Sequence, residues 1–516
     1  MSKRIVVDPV TRIEGHLRVE TRMDGNVVVD ARCSGEMFRG IEKSLIGYDA
    51  RVAQQVTQRV CGVCPYAHAE AASLALENAM GLKPNPNGQL LRNLIVGAYQ
   101  LQDFLLHFYV LSALDFIDVT AVAGYQGRDA GMLQLRDWVR AELASNKIFP
   151  AAPFLPRLEG AYASNRDLNL SAIQHYLEAI SVMADLHKMV ALFGAKAPHP
   201  VAIEAGGVTT LPTVEAIGRY GTWLDRVERF ILNSYRDDII GVAKAFPDYF
   251  NIGRGWGNML SFPYFPDAAG GKHAFAGGVT LNGRYQPLDL DKIGEDHTRA
   301  YYRNTPAGLV KPLQMAALEP LDWSAYQQEK AREEGKYSWT KAPRYDGLPM
   351  EVGAAARVVN TYRSGANPRL KKMVDGLNRE LGIGIEQYPS VMGRHLSRYI
   401  NAAEIVTLLR ENLQQVEPEK TAFVERAVSP NRRGYGLTEA SRGALAHWID
   451  VGDQGYIRNY EMIVPTTWNM SPQDARGQHG AVEQMLIGTR VADAGNPLEI
   501  ARIVRSSDPC MACSVH

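Results

Sequence analysis

Two Cys-x-x-Cys pairs sit near opposite ends of a 516-residue chain, one in 59-RVCGVCPYAH-68 and one in 506-SSDPCMACSVH-516. A thiolate is a soft ligand for zinc, nickel, iron or copper(I), so four of them read as one metal site. A structural zinc staple usually leaves about 15–20 residues between its pairs, because it ties down a small lobe. Here the site closes only after almost the whole chain has folded, at an entropic cost that grows slowly with loop length. On ligand chemistry alone, zinc, an iron–sulfur cluster and another transition metal stay open. The fifth cysteine, Cys33 in VVDARCSGEM, reads as a small buried strand residue. Five cysteines are too few for a disulfide scaffold.

The composition is that of a globular protein with a large core, 46% apolar and 22% charged. Lys+Arg and Asp+Glu both total 56, a formal net charge of zero. That balance gives no support to nucleic-acid binding or a polybasic membrane anchor, and it permits a partner subunit. The longest apolar stretch, Leu90 to Phe116, is interrupted by Arg92, Asn93, Gln100, Asp103, His107 and Asp115, so no membrane span is expected. The opening MSKRIVVDPVTRIEGH lacks the apolar run of a signal peptide. The chain is expected to be cytosolic or exported with another subunit.

The patterning predicts an α+β protein, mainly α, with a central bundle of long helices and small peripheral β lobes. It divides a single composite domain into an N-terminal β lobe (1–47), a helical core (48–246), an irregular and β region (247–350) and a C-terminal helical, metal-closing region (351–516). Ile5 to Val7, Gly15 to Thr21 and Asn26 to Arg32 read as strands, the last two joined by a hairpin turn at Asp24-Gly25. Pro65 suits the first turn of a helix, which would put Cys64 and His68 on one face. Long helices are expected over Leu90 to Asp118, over Ser171 to Phe193 with Gly194 as its stop, and over Thr213 to Phe246 with Thr213 as N-cap. A second hairpin turns at Asn282-Gly283, helical patterns run from 351 to 416, and the last hundred residues mix loops and short elements.

The string Arg59-x-Cys61-Gly-x-Cys64-x-x-x-His68, with Asp508-Pro-Cys510-x-x-Cys513-x-x-His516, resembles the two signatures of nickel–iron hydrogenase large subunits. The resemblance runs the length of the chain, through 8-DPVTRIEGHLRVE-20, 34-SGEMFRGIE-42, 103-DFLLHFYVLSALD-115, 341-KAPRYDGLPMEVG-353, 439-EASRGALAHW-448 and 460-YEMIVPTTWN-469. It is most like the uptake, respiratory-linked group. It implies the catalytic subunit of an enzyme that reversibly splits dihydrogen into protons and electrons. The alternatives are a hydrogen-sensing subunit with the same metal site and a structural zinc protein. The related quinone-reductase subunit shares the fold without the metal, and retention of all four cysteines argues against it.

The resemblance implies a role for each matching residue. Cys61 and Cys510 are terminal nickel ligands, and Cys64 and Cys513 bridge to an iron carrying carbon monoxide and cyanide. Cys510 accepts the proton of split dihydrogen and Glu14 carries it away, a relay that needs a carboxylate in hydrogen-bond reach; otherwise Glu14 reads as a surface strand residue. Arg442 lies above the metals, held by Asp103 and Asp508. The family usually has proline where this chain has Ser441. His68, Thr466 and Val63 border the centre, His68 against a bridging sulfur and Val63 where gas arrives. Glu42, the carbonyl of Met462 and His516 match a second, hard-ion site for magnesium or iron, with Glu351 near it. His16, His107, His199, His395, His447 and His479 read as structural, or as groups that orient a ligand without binding the metal.

By the same resemblance, a protease removes an extension after the terminal histidine, and the chain is expected to be the processed form or a variant without one. Some members carry selenocysteine at the position of Cys510. With no cysteines left for an electron-transfer chain, electrons must leave through an iron–sulfur small subunit, and through it to a membrane cytochrome b or a soluble cytochrome. The expected location is periplasmic or membrane-associated by co-export, with cytoplasmic as the alternative.

Overall fold

The Asp24-Gly25 turn forms where the sequence places it, with Gly25 at φ 59. In the computed structural model, which describes residues 3–145, 160–303, 308–314, 319–321 and 330–516, it joins β2 (Leu17–Asp24) to β3 (Val27–Gly35), and β1 (Lys3–Val7) pairs antiparallel with β2. Alternation along β2 turns Leu17, Val19, Thr21 and Met23 inward. Cys33 is buried on β3, as expected of a small strand residue.

Long helices fill the centre. α1 (Pro65–Met80) starts on Pro65, with Cys64 as its N-cap. α2 (Pro86–Leu105) starts at Asn85, whose side chain accepts from the Gly88 amide, and it runs on through a wider π-type stretch, Leu106–Ser112. Every residue of α2 from Asn87 to Leu105 is buried. The helical run Pro86–Asp115 has the length and apolarity to cross a membrane, yet here it is the core. Polar side chains near its start find partners inside the protein: Arg92 donates to both oxygens of Glu77, and Asn93 to the Pro266 carbonyl and the Asn412 side chain.

α3 (Arg166–Gly194) begins earlier than Ser171, because Asn165 caps the amides of Asp167 and Leu168. Gly194 is not its stop. The left-handed residue is Ala195, and Gly194 is the last helical residue, small because a Cβ there would lie 2.8 Å from Pro200 Cβ. α4 (Val214–Arg229) is capped by Thr213 and continues through a π-type stretch into α5 (Arg236–Ala245). The Asn282-Gly283 hairpin is present, both residues at positive φ. α6 (Ala354–Ser364) and α7 (Val391–Leu413) supply the later helices.

The last hundred residues hold more order than short elements. β4 (Arg432–Ala440), β5 (Gly443–Val451) and β6 (Ile457–Ile463) form an antiparallel sheet. β5 is buried on both faces except at Trp448, so its sequence lacks the alternation that announces a strand. β4 lies directly on α1: a Cβ at Gly436 would stand 2.0 Å from the Ala71 carbonyl oxygen, and one at Gly434 2.3 Å from that of Ala75. The hairpin between β4 and β5 has only Ser441 and Arg442 at its tip. α8 (Leu498–Ser506) and α9 (Met511–Ser514) bring the C-terminus into the core.

The glycine contact is testable. Gly436→Ala should lower the unfolding midpoint by the equivalent of about 1–3 kcal/mol, with an unchanged denaturant slope. A midpoint equal to the parent would show that α1 has room to shift. Acidity probes the interior separately. Burial first, then neighbouring positive charges, holds His107, His395 and His447 well below the usual imidazole range and His297 at about 3, and burial holds His68 at about 4 against the upward pull of the Cys61 charge. These rings stay neutral in the folded protein and charge when it unfolds. The stability these histidines contribute is therefore complete above about pH 6.5 and is lost as pH drops toward 4. A flat unfolding midpoint from pH 7 to pH 5 would contradict this.

Candidate metal centre

The four sulfurs meet in the core. Cys61, Cys64, Cys510 and Cys513 are all buried, and their Sγ atoms lie within 4.8 Å of one another. Neighbouring pairs stand at 3.2 Å (Cys61–Cys510), 3.3 Å (Cys64–Cys513) and 3.1 Å (Cys510–Cys513). Local backbone sets each one. Cys61 is extended, and its sulfur accepts from the amides of Val63 and Cys64 at 3.2 and 3.4 Å. Cys510 is the N-cap of α9, and its amide donates to Thr466 Oγ1 at 3.0 Å. Hydrogen bonds from the other three thiols pull the Cys61 thiol well below its usual range, while burial pushes those of Cys510 and Cys513 up. The group has one ready thiolate and gives up further protons when a cation binds.

Glu14 touches the cluster from the half-buried side. Its Oε2 accepts from the Ala512 amide at 2.8 Å and from Cys510 Sγ at 3.2 Å, and its backbone pairs with residues 509–511. It lies before β2 in a single bridge with Cys510, which excludes the surface-strand reading. Burial, then the Cys61 charge, raises its pKa. Arg442 is buried, with NH2 3.1 Å from Asp508 Oδ1 and NH1 3.7 Å from Asp103 Oδ2. Burial pushes the Asp103 carboxyl up to about 8, against the pull of Arg442 and Ser441.

His68 reaches the cluster from α1, its Nε2 3.5 Å from Cys513 Sγ. Its Nδ1 is 3.1 Å from His447 Nε2, and His447 Nδ1 is 2.8 Å from the Tyr460 hydroxyl. A thiolate at Cys513 selects one order: Tyr460 donates to His447, His447 to His68, and His68 to the sulfur. His447 therefore takes part in orienting the site, the second of the two roles its sequence context offers. Val63 is half-buried beside the cysteines.

A second cluster forms at the C-terminus. His516 Nε2 is 3.1 Å from Glu42 Oε1, and the Met462 amide donates to the same oxygen at 2.6 Å. Lys341 Nζ stands 3.4 Å from both Glu42 oxygens and 3.2 Å from Glu295 Oε2. Burial opposes the charge on Glu42, but Lys341 and His516 hold its pKa at about 2; Glu295 is pushed well up by burial. Glu351 is not in this group. It forms a two-point ion pair with Arg394 instead. Sequence reasoning also passed over Arg39, whose guanidinium donates to the carbonyls of Arg59 and Val60 at 2.7 and 2.5 Å while its amide donates to Val515 O at 3.2 Å. Its place inside SGEMFRGIE was the available signal.

Comparison with known proteins gives one family. The profile described as nickel-dependent hydrogenase matches residues 39–516, and one described as HoxL-like matches residues 4–34. The periplasmic [NiFeSe] hydrogenase large subunit of Desulfomicrobium baculatum is 34% identical, across 99% of this chain and 95% of its own length. The quinone-reactive Ni/Fe-hydrogenase large chain of Wolinella succinogenes is 33% identical, across 100% and 96%. The solved Ni-Fe-Se hydrogenase of D. vulgaris Hildenborough in its as-isolated oxidised state superposes with a TM-score of 0.86 at 36% identity, covering 100% of both chains.

Arg39 links both cysteine loops, so Arg39→Met should weaken retention of the bound metal against a chelator by roughly 10–100-fold, the usual effect of losing a group that orients ligands. Arg39→Lys, with one ammonium for two carbonyls, should recover only part of it. Parent-like retention in Arg39→Met would remove Arg39 from the site.

Proposed function

The chain belongs to the nickel-dependent hydrogenase family, as a large, catalytic subunit, and from that premise we propose that its four thiols hold a nickel–iron centre with carbon monoxide and cyanide on the iron. Cys61 and Cys510 would bind nickel alone, and Cys64 and Cys513 would bridge the two metals. One observation carries the reading: four buried sulfurs within 4.8 Å of one another, drawn from both ends of the chain, with Glu14 against one of them. The donor set fits such a centre. Thiolates are soft enough for both metals, and Arg442 keeps Nε and NH1 without a protein partner in a buried position, so an anionic or polarisable group there would satisfy them.

Such a centre, when bound, supplies the heterolytic splitting of dihydrogen. The chain's own residues then handle the proton. Cys510 Sγ, 3.2 Å from Glu14 Oε2, passes it to that carboxylate. The raised pKa of Glu14 lets it hold a proton long enough to hand it on, and its half-buried position leads away from the core. Thr466 holds Cys510 by its amide. His68 donates to Cys513 in the order set by His447 and Tyr460.

Glu42, Met462 and His516 would bind magnesium or iron. Support comes from buried polar atoms without partners beside them, Glu295 Oε1 and both ring nitrogens of His297, which a hydrated ion would satisfy. Electrons would leave through an iron–sulfur small subunit, and through it to a cytochrome. The relatives named large subunit or large chain imply a smaller partner. Met37, Ile46, Tyr48 and Tyr456 are exposed apolar residues, and the chain at Tyr48 pairs with that at Ile457, an apolar face suited to such a partner. The relatives named periplasmic and quinone-reactive support a periplasmic or membrane-associated location by co-export.

Cys61→Ala and Cys510→Ala should each abolish nickel in the purified complex, read by metal analysis. Glu14→Gln should keep nickel and lose roughly 10²–10⁴-fold in dihydrogen oxidation. Zinc in place of nickel in the parent, with no infrared bands from metal-bound carbon monoxide or cyanide, would overturn the proposal. The chain separated from its small subunit should not pass electrons to an acceptor.

A further inference from the structure

Arg442 uses its donors sparingly for a buried arginine. Arg357, equally buried, donates to Asn401, Glu439, and the carbonyls of Ala440 and Ser441. Arg442 has one contact of hydrogen-bond length, NH2 to Asp508 Oδ1 at 3.1 Å, and its Nε and NH1 have no partner. Asp103 Oδ2 lies 3.7 Å from NH1, beyond hydrogen-bond reach. The reason is at the neighbouring residue. The Ser441 hydroxyl donates to that same Asp103 oxygen. Ser441 is held from its other side by Tyr66, the second residue of α1 after Cys64: the Ser441 amide donates to the Tyr66 oxygen at 3.0 Å, and the Tyr66 hydroxyl to Ser441 Oγ at 3.3 Å. Tyr66 is itself stacked on Tyr99.

We propose that Ser441 is a positioning residue: its hydroxyl anchors Asp103 through Oδ2 and holds that carboxylate at 3.7 Å from Arg442 NH1, so that the Arg442 Nε and NH1 donors stay available to whatever the thiol cluster holds. Leaving those donors unpaired in the core costs free energy, and the structure keeps them so although a carboxylate stands less than 1 Å outside bonding distance. Ser441 sits in a two-residue hairpin tip, so Asp103, Tyr66 and Arg442 are tied through one rigid point. A proline here would bring neither the hydroxyl nor the amide N–H. What Arg442 serves rests on the proposed function; where Arg442 points is a matter of protein atoms alone.

Ser441→Ala in the complex with the small subunit tests this. The expected crystal structure has Arg442 NH1 closed from 3.7 Å to about 2.9 Å from Asp103. The expected kinetics are a roughly tenfold lower kcat for dihydrogen oxidation with a KM changed less than about twofold. Ser441→Thr, with its hydroxyl on Asp103, should restore both. Should Ser441→Ala fail to assemble, Ser441→Gly carries the same comparison. An unchanged Arg442–Asp103 separation without the hydroxyl overturns the inference, as does a threonine variant that seats its hydroxyl on Asp103 and still behaves like alanine. If the parent complex does not oxidise dihydrogen, the proposed function fails, while the distance in the variant still decides the role of Ser441.

Discussion

Everything in this fold answers to the meeting of four thiols that arrive 449 residues apart in pairs. Two loops must be brought together inside the core and held at sulfur–sulfur separations near 3.2 Å. The β lobe at the N-terminus, α1, and the last helices are arranged around that meeting. Glu14 joins the first lobe to the last loop by backbone and side chain. Arg39 joins both cysteine loops. β4 presses on α1 at glycines that leave no room for a methyl group, which fixes the axis from which Cys64 and His68 project.

Burial on this scale makes electrostatics the organising term of the interior. Isolated charges are expensive in the core, so they appear in pairs and networks: Arg92 with Glu77, Arg357 with Glu439, Arg394 with Glu351, Lys341 between Glu42 and Glu295. The buried histidines stay neutral for the same reason. Buried polar atoms without a protein partner occur in several parts of the molecule, and two groups of them matter here: Arg442 Nε and NH1 with Asp103 Oδ1 and Asp508 Oδ2 beside the thiols, and Glu295 with His297 beside Glu42. At these two places a metal group would complete them.

Much of this was legible in the sequence. The first hairpin, the proline start of α1, the Thr213 cap and the Asn282-Gly283 turn depend on local backbone preferences and appear where expected. The C-terminal sheet was not legible, because β5 is buried on both faces and its residues do not alternate. Gly194 misled because its small size serves packing against Pro200, while the left-handed cap falls one residue later on Ala195. Glu351 was placed near the second metal by the resemblance, and its carboxylate pairs with Arg394 instead.

The sequence by itself determined which chemistry the chain carries. Cysteine pairs, a carboxylate in the opening motif and an arginine in EASRGAL are identities, and identities are written residue by residue. Tertiary structure alone decided how those groups share their partners. Ser441 was visible as a departure from the family pattern, but its hold on Asp103 required α2 and the β4–β5 hairpin to be adjacent. The line from Tyr460 through His447 and His68 to Cys513 joins the consecutive strands β6 and β5 to α1 and α9, elements of which α1 lies hundreds of residues away in the chain. Hydrogen bonds are set by distance and direction across packed elements, and those quantities exist only once the chain has folded.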